Sequence, residues 1–583
     1  MGIPSLFRKI IENYNDSYIS TSDYEQNIDN FYIDFNAMIY NAFHLFEKRV
    51  VNKMKDKEIE NELIKEVIQF LQFLITKIVK PSKKVYIAFD GSAPMAKIIQ
   101  QRARRFKSPY EETMINKMKK ENNIPESIIK FNKSKISPGT KFMNKLSKEI
   151  KKSIQNGYLY QGLKLNKIIL SDTSVPGEGE HKFIPDIKRN HDQDINVIYS
   201  PDGDVIVLSL IPKNKNILII KPFSDFGENI KYDKNNPPEF LYLNMTICKE
   251  YFIQSITQYA GIENHISYLN DWIFLTLLSG NDFVIPLPFL KMNKMNKIMG
   301  ILNKFYKEVY ENINENLIIE NNNNVQINYK FFILLVEKIS NEELKQFQKN
   351  LKHIHYVKNN GNKNADSFEE KLTDFEKMKM RFYHRNFYDK KNPLFHIYYH
   401  EFNKINYFNH NWKENYYKYF FRNYDLELID QICHDYIKIL TWNLQYYFKS
   451  KPPSWTFCYH HRMPPLFSDL YNYLQNNKNL IIKFENDQPF QPLKQLLLIL
   501  SPYSKNLLPK CLGDLMQHDQ LKSFYPKIFK LDVVVGNKYI YSEPILPKIN
   551  IELLDYFINQ NYDKLTLQEK KRNKIQKKLV YQI

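Results

Sequence analysis

Val85-Tyr86-Ile87-Ala88-Phe89-Asp90-Gly91-Ser92-Ala93-Pro94 opens as an unbroken apolar run and stops at an acid, a glycine and a proline. A short run of this kind, rich in β-branched and aromatic residues and bounded by turn formers, predicts a strand buried on both faces. Two further runs have the same form. They are Phe31-Tyr32-Ile33-Asp34 and Val197-Ile198-Tyr199, the second followed by Asp202-Gly203-Asp204. Helical patterns such as Glu58 to Ile78 lie between the strand-like runs. Alternation of this kind, continuing to about residue 300, predicts an α/β layer fold with a mainly parallel sheet and helices on both faces.

Open parallel sheets place ligands beyond the carboxyl ends of their strands, so the acids that end these runs are candidate site residues. Seven carboxylates belong to the set: Asp34, Asp90, Glu178, Glu180, Asp202, Asp204 and Asp282. Any one of them alone reads equally well as a strand-end or cap residue facing water. Their repetition at equivalent positions is what points to a shared role. Gathered carboxylates repel one another unless a cation sits among them, and hard divalent ions such as Mg2+ prefer oxygen ligands. Asp202 and Asp204 are two apart, which in an extended segment projects both side chains to one side, with Gly203 leaving room for close approach. Pro176-Gly177-Glu178-Gly179-Glu180 reads as a turn entering a helix, able to bring both glutamates inward. Asp282 is expected on the loop after a helix that ends near Gly280, a plausible C′ residue.

A cationic group follows the strand quoted first. If Pro94 begins a helix, Lys97, Gln101, Arg104 and Arg105 fall at i, i+4, i+7 and i+8, on one face. Forked arginine donors and a lysine point charge together suit a doubly charged terminal phosphate better than a diester. Basic helix faces are more often merely solvated, and here the adjacency to Asp90 favours a ligand. Tyr40 and Trp455 are candidates for stacking on bases, while most other aromatics read as core.

Composition narrows the partner. The 583 residues carry a formal charge of +19, from 83 Lys and Arg against 64 Asp and Glu, and 43% are hydrophobic. A folded protein with such a balance favours a polyanionic partner. The four cysteines, Cys248, Cys433, Cys458 and Cys511, form no CxxC pair, so a zinc ribbon or disulfide framework is not indicated and a reducing compartment fits. No signal segment is evident, and no apolar run reaches the roughly 18 residues of a membrane span. Met1-Gly2 is not a myristoylation start, because Leu6 stands where that signal needs a hydroxyl residue.

Three parts are expected: a catalytic region over 1–300, a variable connector with polar loops over 301–395, and an aromatic-rich, mostly helical region over 396–583. The connector holds the asparagine patches Asn321 to Asn324 and Asn359 to Asn364, read as surface loops. The basic run Lys570-Lys571-Arg572 reads as a solvated helix end.

These motifs together resemble the XRN family of 5′→3′ exoribonucleases. The likeness rests on Met1-Gly2-Ile3-Pro4-Ser5-Leu6-Phe7, Ile33-Asp34-Phe35-Asn36, Phe89 to Pro94, Gln100 to Phe106, Ser137-Pro138-Gly139-Thr140, Pro176 to Lys182 and Ser279 to Phe283. It continues through Trp412 to Tyr417, Ser454-Trp455, Pro489 to Leu493 and Phe524-Tyr525-Pro526. The resemblance implies a PIN-like or flap-nuclease-like core, with the second region packed on it and narrowing the site. It implies that the seven carboxylates hold two Mg2+ ions, replaceable by Mn2+, and that Lys97, Gln101, Arg104 and Arg105 bind the 5′-monophosphate of single-stranded RNA. Tyr40 stands where the family usually has a histidine that stacks on the terminal base, and Phe457 replaces a larger aromatic two residues after Trp455.

The implied activity is processive hydrolysis of 5′-monophosphorylated RNA to mononucleotides in RNA decay, with the cytoplasm favoured over the nucleus. The chain ends soon after the second region, as a minimal form would. Its richness in Asn, Lys, Ile and Tyr is the mark of an AT-rich genome, such as that of a large DNA virus. The rivals are a flap-type DNA nuclease, which shares the acidic core, and an inactive RNA-binding scaffold.

Overall fold

The computed structural model describes residues 6–14, 16–50, 54–125, 131–226, 239–257, 266–286, 295–321, 324–361, 363–395, 404–478, 480–532 and 538–583. The opening motif through Ser5 lies outside them. Among the described residues the central sheet has eight strands. They are β1 (Tyr18–Ser20), β2 (Asn30–Asp34), β3 (Lys84–Ala88), β4 (Lys167–Ser171), β5 (Ile195–Tyr199), β6 (Asn216–Pro222), β7 (Phe240–Asn244) and, from the far end of the chain, β12 (Leu579–Gln582). Two antiparallel pairs, β8 (Ile318–Asn321) with β9 (Asn324–Ile327), and β10 (Lys530–Asp532) with β11 (Glu543–Ile545), stand apart from it.

The sheet runs in the order β1-β7-β6-β5-β2-β3-β4-β12. Its five central strands are parallel, and β1, β7 and β12 are antiparallel additions at the edges. From β2 the chain moves outward through β3 and β4, then returns to the other side of β2 for β5. That reversal is a topological switch point, and the acid-bearing turns open beside it.

Strand alternation divides the core between the two faces. Phe31, Ile33, Val85, Ile87, Val197 and Tyr199 point toward the helices Phe35–Arg49, Asp56–Phe73 and Lys141–Gln155. Tyr32, Tyr86, Ala88 and Ile198 point the other way, into a larger core shared with the Gly179–Arg189, Asp204–Leu210 and Tyr268–Leu278 helices and with the aromatic second region. The α/β expectation is met, and so is a helical second region packed on it.

Two expectations change. The stretch after residue 300 is not loosely patterned, because Tyr329–Asn360 is one long helix whose Phe331, Leu335, Val336, Ile339 and Phe347 join the same core as Trp412 and Phe467. Of the two asparagine patches, Asn321 pairs with Asn324 at the open end of the β8–β9 ladder, and Asn359 and Asn360 end the long helix, where Gly361 takes a φ of 71°; Asn322, Asn323 and Asn362 lie outside the described residues. Arg572 is not solvated either. Its side chain is buried and donates to the Gly139 carbonyl at 2.7 Å, tying the end of the chain to the loop before the Lys141–Gln155 helix. No described helix is long and apolar enough to cross a membrane.

Candidate active site: an acidic cleft beside a cationic helix

Each of four adjacent strands delivers acids at its carboxyl end. Asp34 is the last residue of β2, Asp90 lies two residues past β3, Glu178 and Glu180 follow β4, and Asp202 and Asp204 follow β5. Asp282 comes from the loop after Tyr268–Leu278. Gly280, with φ of 96°, turns the chain there as expected of a C′ residue. A Cβ at Gly280 would also meet the Pro286 ring at 2.6 Å.

One group of acids is tight. Ligand oxygens of Asp34, Asp90 and Glu180 all lie within 4.8 Å of one another, the spacing of groups able to share an ion. Gly179 makes the approach possible, since a Cβ there would meet the Ala88 carbonyl at 3.0 Å and Asp34 Oδ1 at 3.2 Å. Neighbours hold the three in place. Ser200 Oγ donates to Asp34 Oδ2 at 3.0 Å, Asn36 Nδ2 donates to Asp90 Oδ2 at 2.9 Å, and the Gly179 N–H donates to Asp90 Oδ1 at 2.9 Å.

The second group carries its own counter-charge. Lys97 Nζ lies 2.7 Å from Glu178 Oε2 and 2.7 Å from Asp282 Oδ2, and Gln100 Nε2 donates to Asp282 Oδ1 at 3.2 Å. Asp204 is buried close by, with Oδ1 unpartnered. It does not reach the site as the sequence suggested. Gly203 is helical, at φ −70° and ψ −26°, and Asp204 opens the Asp204–Leu210 helix, so a helix start rather than strand alternation aims its carboxylate.

The electrostatics follow from burial and crowding. Burial, then the neighbouring Asp90 and Asp202, pushes the Asp34 carboxyl well above the usual range. Burial and the adjacent Glu178 do the same to Glu180, and burial with Asp282 raises Asp204 to about 7. Burial also opposes ionisation of Asp282, yet Lys97 outweighs it and holds that carboxyl low. A pocket of raised carboxyls with an orphaned buried oxygen has the donor chemistry of a divalent-cation site.

The helix Met95–Glu121, with Pro94 as its N-cap, carries the expected cationic residues from the acids toward the surface. Lys97 lies at the acid end. Gln101 Oε1 is buried and unpartnered, Arg104 is exposed, and half-buried Arg105 donates to Ser137 Oγ at 2.6 Å while bonding to Tyr40. Tyr40 therefore stands beside the cationic face. Trp455 does not offer a stacking surface: it is 7% exposed, and its carbonyl accepts from the Met95 N–H at 2.7 Å, anchoring the start of the helix.

Sequence reasoning missed several contributors. Asn36, Gln100 and Lys182 sit within quoted motifs, and each touches an acid or its strand; half-buried Lys182 donates to the Phe89 carbonyl at 2.6 Å. Their closeness in sequence to the acids was a usable signal. Tyr446 gave none, because its hydroxyl reaches Glu178 Oε1 at 3.0 Å from 268 residues away in the chain.

Comparison with known families matches residues 1–222 to the XRN 5′-3′ exonuclease N-terminus and residues 389–582 to the Xrn1 helical domain. The human protein named 5′-3′ exoribonuclease 1 is 26% identical over 98% of this chain and 35% of its own length. Its Saccharomyces cerevisiae namesake is 26% identical over 100% of this chain and 44% of its own. The 5′-3′ exoribonuclease 2 homolog of Drosophila melanogaster is 25% identical over 98% of this chain and 72% of its own. The chain thus spans less than half the length of the first two of these relatives.

Proposed function

Because the chain belongs to the XRN family of 5′-3′ exonucleases, we propose that it hydrolyses single-stranded RNA from a 5′-monophosphate end, releasing mononucleotides stepwise. One observation carries the reading. A helix bearing Lys97, Gln101, Arg104 and Arg105 starts inside a cleft of clustered carboxylates, so an end-binding face and an acidic centre meet at Lys97. In this reading residues 1–300 carry the chemistry, 396–583 narrow its entrance and 301–395 join the two.

Asp34, Asp90 and Glu180, with Asp202 beside them, would hold one Mg2+, and Glu178, Asp204 and Asp282 a second, with Mn2+ able to substitute. Ions so bound supply an activated water and neutralise the departing oxygen. The protein's own groups do the rest. Arg104, Arg105 and Gln101 grip the terminal phosphate, Lys97 lends positive charge beside Glu178 and Asp282 at the inner end of the same face, and Tyr40 stacks on the first base. In this reading a site that binds a bare terminal phosphate excludes a capped end. Four free thiols fit a reducing compartment, and of cytoplasm and nucleus we favour the first.

Uniformly labelled RNA bearing 5′-monophosphate, triphosphate, cap or hydroxyl, incubated with and without Mg2+ beside a flapped DNA duplex, tests the proposal. Mononucleotides released only with Mg2+, and fastest from the monophosphate, are the expected result. Preferential cutting of the DNA would establish the flap-nuclease alternative, and RNA binding without cleavage the scaffold.

A further inference from the structure

The Leu426–Lys449 helix of the second region ends with two adjacent tyrosines set against the acidic cleft. Tyr446 is fully buried, and its hydroxyl donates to Glu178 Oε1 at 3.0 Å while Lys97 takes Oε2 at 2.7 Å. Its ring lies flat on His181, with centroids 3.9 Å apart and planes 8° from parallel, and Phe283 packs edge-on at 5.5 Å. Tyr447 receives a hydrogen bond from Asn281 Nδ2, and Asn281 Oδ1 in turn accepts from the Phe283 and Val284 N–H groups around Asp282.

Two acids supplied by the first region, Glu178 and Asp282, are thus steadied from one turn of a helix in the second. We propose that Tyr446 is a positioning residue: its hydroxyl fixes the Glu178 carboxylate for cation binding, and through it the second region completes the acidic centre. The inference rests on the site reading above. Glu178 has only two oxygens, and with one held by Lys97 the direction of the other is set by Tyr446. A phenylalanine keeps the stack on His181 and removes only that donor. Outer partners that orient a ligand typically contribute about 10- to 100-fold in metal affinity or activity.

The test is Tyr446→Phe in the full chain, read by calorimetric Mn2+ titration without RNA and by steady-state kinetics on 5′-monophosphorylated RNA. The expected result is Mn2+ affinity weakened by about tenfold, with kcat lowered, KM for RNA unchanged, and kcat restored at high Mn2+. Unaltered Mn2+ affinity in Tyr446→Phe, beside a wild type that binds the ion, overturns this inference alone. A wild type that binds no Mn2+ overturns the site reading and this inference with it.

Discussion

The Lys97 ammonium lies 2.7 Å from Asp282 Oδ2, so the first turn of the helix proposed to read the RNA terminus is itself part of the acidic cleft. Lys97 is stabilised in its charged form despite burial, because Asp282, Glu178, Glu180 and Asp204 surround it. A phosphate bound along that helix would therefore be placed by a side chain already registered against the clustered acids. Under the proposed function, stepwise release would follow from such an arrangement, since one helix would fix the distance from the bound end to the scissile bond.

Asp34→Asn keeps shape and removes one charge from the tight group of three. Outer partners of metal ligands already contribute about 10- to 100-fold, so if Asp34 is a direct ligand as proposed, its loss should lower kcat by more than about 100-fold. RNA affinity measured in EDTA should not fall, because the positive face is untouched. Turnover near the wild-type level would remove Asp34, Asp90 and Glu180 from the cation site.

Arg104 is exposed on the helix, and its removal should leave the fold intact. A charge-assisted hydrogen bond to a phosphate is worth about 10- to 100-fold in binding. Arg104→Ala should lose that factor in kcat/KM on 5′-monophosphate RNA and nothing on 5′-hydroxyl RNA, so the preference between the ends collapses. Competition between the two RNAs in one tube reads the ratio directly, and an unaltered ratio places the phosphate elsewhere.

Much of this site was legible because its acids end apolar runs, and a strand's end is visible in sequence. Asp34 and Asp90 follow that logic, while the Pro-Gly turn before the Gly179–Arg189 helix marked Glu178 and Glu180 and the glycine at 280 marked the loop of Asp282. Asp204 was selected through the wrong geometry, since local spacing cannot distinguish an extended pair from a helix start. Tyr446 and the packing of Tyr329–Asn360 were hidden for another reason. Both depend on contacts between distant segments, and an aromatic residue that fills a core reads the same as one that donates to a carboxylate. Trp455 shows the converse, an aromatic that fitted a stacking role until its burial was seen.

Proton release should accompany cation binding. Asp204, raised to about 7, holds a proton near neutrality when no cation is present, and burial and crowding push Asp34 and Glu180 well above the usual carboxylate range in the same direction. A divalent ion must displace bound protons, so its affinity should rise between pH 6 and pH 8. Stability of the ion-free protein should move the opposite way. These folded-state values lie above those of the unfolded chain, so the fold binds more protons from about pH 4 upward, and its stability falls as pH rises toward 7 and beyond. The gain in Tm on adding Mg2+ should accordingly be larger at pH 8 than at pH 6. Calorimetry in two buffers of different ionisation enthalpy counts the protons, and none released would mean the carboxylates are already ionised.

The last strand of the chain closes the edge of the central sheet. β12 pairs antiparallel with β4 from Leu579 opposite Leu170 to Gln582 opposite Lys167, and the Ile583 N–H donates to the Asn166 carbonyl at 3.0 Å. Lys578, just before it, lies over the Tyr86 ring. Removing residues 579–583 would strip a row of backbone partners from β4, whose Ser171 leads into the turn that carries Glu178 and Glu180. Net hydrogen bonds of about 1 kcal/mol each make this a loss of about 2–4 kcal/mol, and the bared edge invites pairing between molecules. The truncated protein should melt at lower temperature and aggregate on warming, while its activity per folded molecule at 20 °C stays close to that of the full chain, because β12 bears no site residue. An unshifted melting curve would show that β4 needs no covering strand, and a loss of activity without loss of stability would show that β12 holds the β4 turn in its working position.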